Sequence, residues 1–113
     1  MEQFDIAICG YGPVGSTFAG LMGKLGHKVL VIEKNIGPSP TARAINTDGE
    51  QLRTFDRLGI AEKVVENSHE VHCVHFGDAN LNPKQTIEQP VGVSAMGWPN
   101  QVLFFLPELE GFI

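Results

Sequence analysis

Apolar residues open the chain as a short block and continue as a stripe. Phe4-Asp5-Ile6-Ala7-Ile8-Cys9 is mostly apolar and stops at Gly10. A run of that length suits a strand in a parallel sheet covered on both faces. Val14, Phe18, Leu21, Met22 and Leu25 then fall at i, i+4, i+7, i+8 and i+11, which draws one apolar stripe along a helix. Gly26 follows the last of them and reads as the helix C-terminal signal. Lys28 to Glu33 carries Val29-Leu30-Val31-Ile32, continuous and rich in β-branched residues, and predicts a second strand. Strand, helix and strand within about thirty residues form a βαβ unit, whose crossover is expected to be right-handed.

Beyond it the pattern loosens. Asn35 to Thr41 holds Gly37, Pro38 and Pro40 and reads as a loop. Thr47 and Glu50 have the spacing of a capping box, with Leu52, Phe55 and Leu58 as the buried face of the helix that follows and Gly59 as its end. Ala61 to Glu66 predicts a further short helix, and Val71 to Phe76 a strand. Residues 77 to 100 are rich in Gly, Pro and Asn, with a short strand placed around Thr86-Ile87. Gln101 to Phe105 reads as a strand, and Pro107-Glu108-Leu109-Glu110 as a helix starting at proline. There is no internal repeat. The fold class is α/β: the opening part of a Rossmann-like domain, with 1–113 as a partial domain and 1–34 as its βαβ unit.

The chemistry sits in the first turn. Gly10-Tyr11-Gly12-Pro13-Val14-Gly15 has the spacing G-x-G-x-x-G. That spacing is weak alone, but here it leaves a strand and opens a helix, the context it requires. Gly10 permits the tight turn, Gly12 lets a pyrophosphate approach the backbone, and Gly15 lets the helix pack close to the sheet. The free N–H groups and positive end of the helix dipole then face the anion. Glu33 ends the second strand, 18 residues after Gly15, where an acid accepts hydrogen bonds from the adenosine ribose. A carboxylate there repels a 2′-phosphate and disfavours NADP. The spacing does not separate FAD from NAD.

Composition narrows the class. With 42% apolar and 19% charged residues and a net charge of −5, the 113-residue chain has the makeup of one globular domain without the clustered Lys and Arg of a nucleic-acid binder. No apolar run approaches a membrane span and no secretory signal opens the chain, so a cytoplasmic place is expected. Cys9 and Cys73, two thiols far apart in sequence, read as small buried apolar residues.

Residues 4 to 34 resemble the N-terminus of the FAD-dependent aromatic-ring hydroxylases, the single-component flavoprotein monooxygenases. The resemblance rests on Pro13, Ala19, Gly26, Val29, Val31, Glu33 and Lys34. It continues through Arg43-Ala44-Ile45, then Asp48-Gly49-Glu50-Gln51-Leu52-Arg53-Thr54-Phe55, Gly97-Trp98-Pro99 and Pro107-Glu108-Leu109-Glu110. The last two are similar to the 3-(3-hydroxyphenyl)propanoate and phenol hydroxylase branch. The resemblance implies FAD as cofactor, NADH or NADPH as co-substrate and a small aromatic substrate. The implied cofactor-binding residues are Gly10, Gly12, Pro13, Val14, Gly15, Glu33, Lys34 and Arg43, the last near the phosphates, where a guanidinium forks onto oxygen. Leu106 departs from the pattern, because many members have Gln there to contact the flavin side chain.

The family's chains are several times longer. The resemblance implies a later G-D motif for the riboflavin part and a substrate-binding sheet, neither of which has a counterpart here. The expectation is therefore the N-terminal part of a hydroxylase, not catalytically competent alone. The apolar close at Phe112 and Ile113 fits it. No catalytic residue is assigned. Two other classes stay open: an NAD-dependent dehydrogenase fragment, against which Pro13 and Arg43-Ala44 argue, and a remnant that binds no nucleotide.

Other clusters carry less. His69, His72, Cys73 and His75 tempt a metal reading, but strand alternation puts His72 on the opposite face from the other three. Ser16 reads as a helix-start residue bonding to backbone. Trp98 reads as a turn residue on the core. Tyr11 either covers the phosphates or faces solvent.

Overall fold

In the computed structural model, which describes residues 1–113, the strand–helix–strand opening is present. Strand β1 (Ile6–Cys9) and strand β2 (Val29–Ile32) pair in parallel, with Ile6 opposite Val29 and Cys9 opposite Ile32. Helix α1 (Pro13–Lys24) joins them. Two further sheets follow. In one, β3 (Asn46–Asp48) and β4 (His69–Glu70) both pair antiparallel with β7 (Gln101–Leu103), which lies between them. In the other, β5 (Cys73–Gly77) and β6 (Pro83–Glu88) form a hairpin. Its turn is held by the Asp78 carboxylate, which accepts from the Asn80 and Asn82 amides. The Asn82 amide, first among these, holds Asp78 below the usual carboxylate range.

Helices α2 (Gly49–Leu58), α3 (Ala61–Glu66) and α4 (Leu106–Phe112) surround the core. That core is Leu52 and Phe55 from α2, Ala61 and Val64 from α3, Val102 from β7, and Leu106 and Leu109 from α4. Trp98 packs against it, as the sequence suggests, with Leu58 and Phe104. The core thus draws on residues 52 to 109, and the βαβ unit packs on it through α1, where Gly20 meets Leu58.

Four expectations need correction. The first concerns α1: its buried residues are Ser16 and Thr17, whereas Val14 and Leu25 are 84% and 70% exposed and Phe18 is also exposed. Small side chains bring the helix close to its neighbours. A Cβ built on Gly20 falls 2.9 Å from Leu58 Cδ2. Both hydroxyls are satisfied locally, Ser16 donating to the Gly12 carbonyl at 2.8 Å and Thr17 to the Pro13 carbonyl at 2.6 Å, so burying them strands no polar atom. The second concerns β1, which is covered on one face only. Ile6 and Ile8 are half-buried, and Ala7 and Cys9 are exposed. Cys9 is therefore not a buried apolar residue, and Cys73 is half-buried.

The third concerns the cap of α2. Asp48, not Thr47, is the N-cap, and its carboxylate accepts from the Gln51 amide at 2.9 Å. Thr47 is taken by β3 instead, opposite Val102. Replacing Asp48 with Ala should cost about 1 kcal/mol. For a domain of this size that lowers the melting temperature by roughly 4–8 °C. A thermal melt checks it, and an unchanged midpoint would show the cap to be idle. The fourth is the strand over Val71 to Phe76. It starts at Cys73 and runs to Gly77, pairing with β6, while His69–Glu70 just ahead of it pairs with β7 in another sheet and Val71-His72 link the two. The strand read as Gln101 to Phe105 likewise stops at Leu103, where the chain turns into α4.

Candidate dinucleotide site

The turn from β1 into α1 is built from the three glycines. Gly10 has φ +102°, a conformation that side-chain-bearing residues rarely adopt. A Cβ on Gly15 would lie 2.2 Å from the Gly10 carbonyl oxygen, so only glycine lets α1 start this close to the strand. At Gly12 a Cβ meets nothing within 4 Å, which leaves open space beside the backbone. Gly12 is also the N-cap of α1, without a side-chain cap, and the first turn holds no acidic residue. The first-turn amides therefore present an unscreened positive end to that space.

Glu33 lies beside this turn. Its Oε2 accepts from the Tyr11 amide at 2.8 Å, and its Oε1 accepts from the Asn35 amide, also at 2.8 Å. The glycine loop and the segment after β2 are thus tied through one carboxylate. The Tyr11 amide first, and the Asn35 amide second, hold Glu33 below the usual carboxylate range. Each oxygen has one lone pair committed and another free for an outside donor.

These groups border one open cavity of about 800 Å³. Gly12, Pro13, Glu33, Lys34 and Arg43 line it, together with Tyr11, Val31 and the loop from Asn35 to Ser39. Arg43 makes no ion pair within the chain. Of the residues singled out in the sequence, Gly10 and Gly15 shape the turn from behind, and the Val14 side chain is 84% exposed off the cavity wall. Leu106 lines the cavity and is 2% exposed. Tyr11 is on the wall and 41% exposed. Ser16 bonds to backbone, as a helix-start residue does.

Sequence reasoning missed Asn35, Ser39 and Glu110. Glu110 falls within the Pro107–Glu110 stretch that carries the resemblance, but no role could be read there, because its relevance comes from a hydrogen bond across 71 positions: its Oε2 accepts from the Ser39 amide at 2.6 Å. On the β5–β6 hairpin, Cys73 Sγ lies 3.3 Å from His75 Nε2, and His75 Nδ1 lies 2.7 Å from Thr86 Oγ1. That cluster is apart from the cavity. No helix is long and apolar enough to cross a membrane.

Known proteins resemble this chain in sequence and in fold. The family described as FAD binding domain matches residues 3–102. The chain is 34% identical over 114 aligned positions to a probable NADH-specific resorcinol 4-hydroxylase of Rhodococcus jostii, covering 99% of this chain and 21% of that protein. It is 35% identical to a 3-(3-hydroxy-phenyl)propionate/3-hydroxycinnamic acid hydroxylase of Escherichia coli, covering 96% and 19%. The chain thus spans about a fifth of the length of these relatives. Among solved structures, p-nitrophenol 4-monooxygenase of Pseudomonas putida superposes with a TM-score of 0.85 at 23% identity, covering 99% of this chain and 29% of that one. Aklavinone-11 hydroxylase, in a complex with FAD and aklavinone, gives 0.77 at 20% identity, covering 99% and 23%. At those identities the structural likeness speaks for the fold.

Proposed function

The chain belongs to the FAD binding domain family, and from that premise we propose that its cavity holds the ADP half of FAD within an NAD(P)H-dependent aromatic hydroxylase. One observation carries the reading: the carboxylate of Glu33 is fixed at the edge of the same cavity that the glycine loop lines. Gly12, Pro13 and the first-turn amides of Val14 and Gly15 would receive the pyrophosphate, with Gly10 setting the turn. The free lone pairs of Glu33 would accept from the ribose hydroxyls. Lys34 and Arg43, both on the wall, would balance the phosphate charge.

The residues present suit that group. A side-chain-free approach at Gly12, an uncapped helix start, a pre-oriented carboxylate and two cations are the donors and acceptors an ADP moiety needs. Leu106, which stands where many members of the resembling family have Gln, borders the cavity but is 2% exposed in the core, so it would give a ligand neither a hydrogen bond nor much surface. FAD, when bound, would supply the redox chemistry that couples NADH or NADPH and O₂ to ring hydroxylation. The Rhodococcus relative is described as NADH-specific, which favours NADH as donor. Both relatives carry names of phenolic substrates, which favours a small electron-rich aromatic.

The test is a titration of the purified chain with FAD, with ADP and NAD as competitors, followed by flavin fluorescence and thermal shift. Saturable FAD binding, displaced by ADP, is expected. At a hundredfold excess over Kd the melting temperature should rise by at least ~10 °C. Absence of binding at high micromolar FAD would remove the reading. Preference for NAD would hand the site to a dehydrogenase.

A further inference from the structure

The segment after β2 forms much of the cavity wall but has little to hold it. None of residues 34–44 joins a backbone–backbone hydrogen bond. Asn35 bonds only to its neighbour Glu33. The Ser39 hydroxyl closes a local turn, donating to the Thr41 carbonyl at 3.0 Å and accepting from the Thr41 amide at 3.3 Å. One hydrogen bond ties the segment to a distant part of the chain: the Ser39 amide to Glu110 Oε2. The acceptor stands on firm ground, since α4 is seated in the core through Leu106 and Leu109, each 2% exposed. Glu110 and the loop residues Gly37, Pro38 and Ser39 border the same cavity.

We propose that Glu110 is a positioning residue: it latches the 35–41 loop to α4 and so fixes the adenosine-side wall of the cavity before the ligand arrives. The proposal rests on the reading of the cavity as an ADP site. Its physical basis is preorganisation. With the latch, the ordering entropy of the loop is already spent in the free protein; without it, that cost falls on binding and lowers affinity. The loop is also the segment expected to open locally first, having few bonds of its own.

The experiment compares the wild-type chain with Glu110→Ala and Glu110→Gln. Three quantities are read: hydrogen exchange of the Ser39 amide without ligand, exchange of the α2 amides, and the Kd for ADP by calorimetry. In the wild type the Ser39 amide is protected. In Glu110→Ala it exchanges freely and ADP weakens roughly tenfold, about the size of one hydrogen bond to a charged group. Glu110→Gln keeps a carbonyl acceptor and restores both within about threefold. The α2 amides stay equally protected in all three.

Unchanged Ser39 exchange or unchanged ADP affinity in Glu110→Ala overturns the latch. Loss of α2 protection in the Ala variant also overturns it, because the residue would then be holding the core rather than the loop. If wild-type protein binds no ADP, the reading of the cavity fails on its own, and Ser39 exchange still decides whether the loop is latched.

Discussion

Replacing Gly12 with valine is expected to abolish binding of FAD and ADP while the protein stays folded. Gly12 has φ −75° and ψ −172°, an extended backbone that a β-branched residue adopts readily. Its built Cβ touches nothing within 4 Å, so the chain itself has room for the side chain. The folding cost is confined to a poorer N-cap, about 1 kcal/mol. That same room is where a pyrophosphate must meet the first-turn amides, and a valine fills it. The expected result is no saturable signal at high micromolar FAD, with circular dichroism unchanged and the melting temperature lowered by no more than ~8 °C. Gly15→Val is the contrasting control. Its Cβ would lie 2.2 Å from a backbone oxygen, so the turn itself must move and folding should suffer along with binding. Undiminished FAD affinity in Gly12→Val would place the phosphates elsewhere.

The contrast between these glycines bears on what can be read from a sequence. The G-x-G-x-x-G spacing foretold a turn, an open approach and a close contact, and the geometry supplies one at each glycine in that order. Local signals of this kind were legible because each depends on a few neighbouring residues. Helix α3 begins and ends at the residues expected, and α2 stops at Gly59 as foreseen. What escaped was decided by distant partners. The α1 stripe looked like a core face, but the chain packs its small residues inward and leaves Val14, Phe18 and Leu25 open. Thr47 looked like a cap until pairing with Val102 drew it into β3 and passed the cap to Asp48. The break at Val71-His72 has the same origin, because two separate sheets compete for that stretch. At the site, the glycine loop, Glu33, Lys34 and Arg43 were visible from pattern and resemblance. Glu110 was not, since no local rule connects it to Ser39.

Loss of the Glu33 carboxylate should weaken ADP binding by at least a hundredfold, and the pH dependence should identify the charge as the cause. The side chain accepts from two amides belonging to two different segments. Glu33→Ala therefore removes the ribose acceptor and also one of the ties between the glycine loop and the end of β2, leaving the Gly10 amide on the Ile32 carbonyl. Two charge-assisted hydrogen bonds toward the ribose are lost together, which gives roughly a hundredfold or more. Glu33→Gln, with one carbonyl acceptor and no charge, should fall between Ala and wild type. Because the folded carboxyl is held below its ordinary range by the Tyr11 and Asn35 amides, it stays ionised through moderately acid solution. Its contribution to folding is present above the unfolded glutamate pKa and is lost as pH falls through the lower, folded value. Affinity for FAD, whose pyrophosphate is a diester that stays ionised throughout this range, should therefore be flat from about pH 7 down to about pH 5 and decline only in stronger acid. Glu33→Gln should show no such decline. Calorimetric titration of FAD across that range reads both, and a wild-type profile that already falls between about pH 7 and 6 would assign the titration to another group. A Glu33→Gln chain that binds ADP as tightly as wild type would detach Glu33 from the ribose altogether.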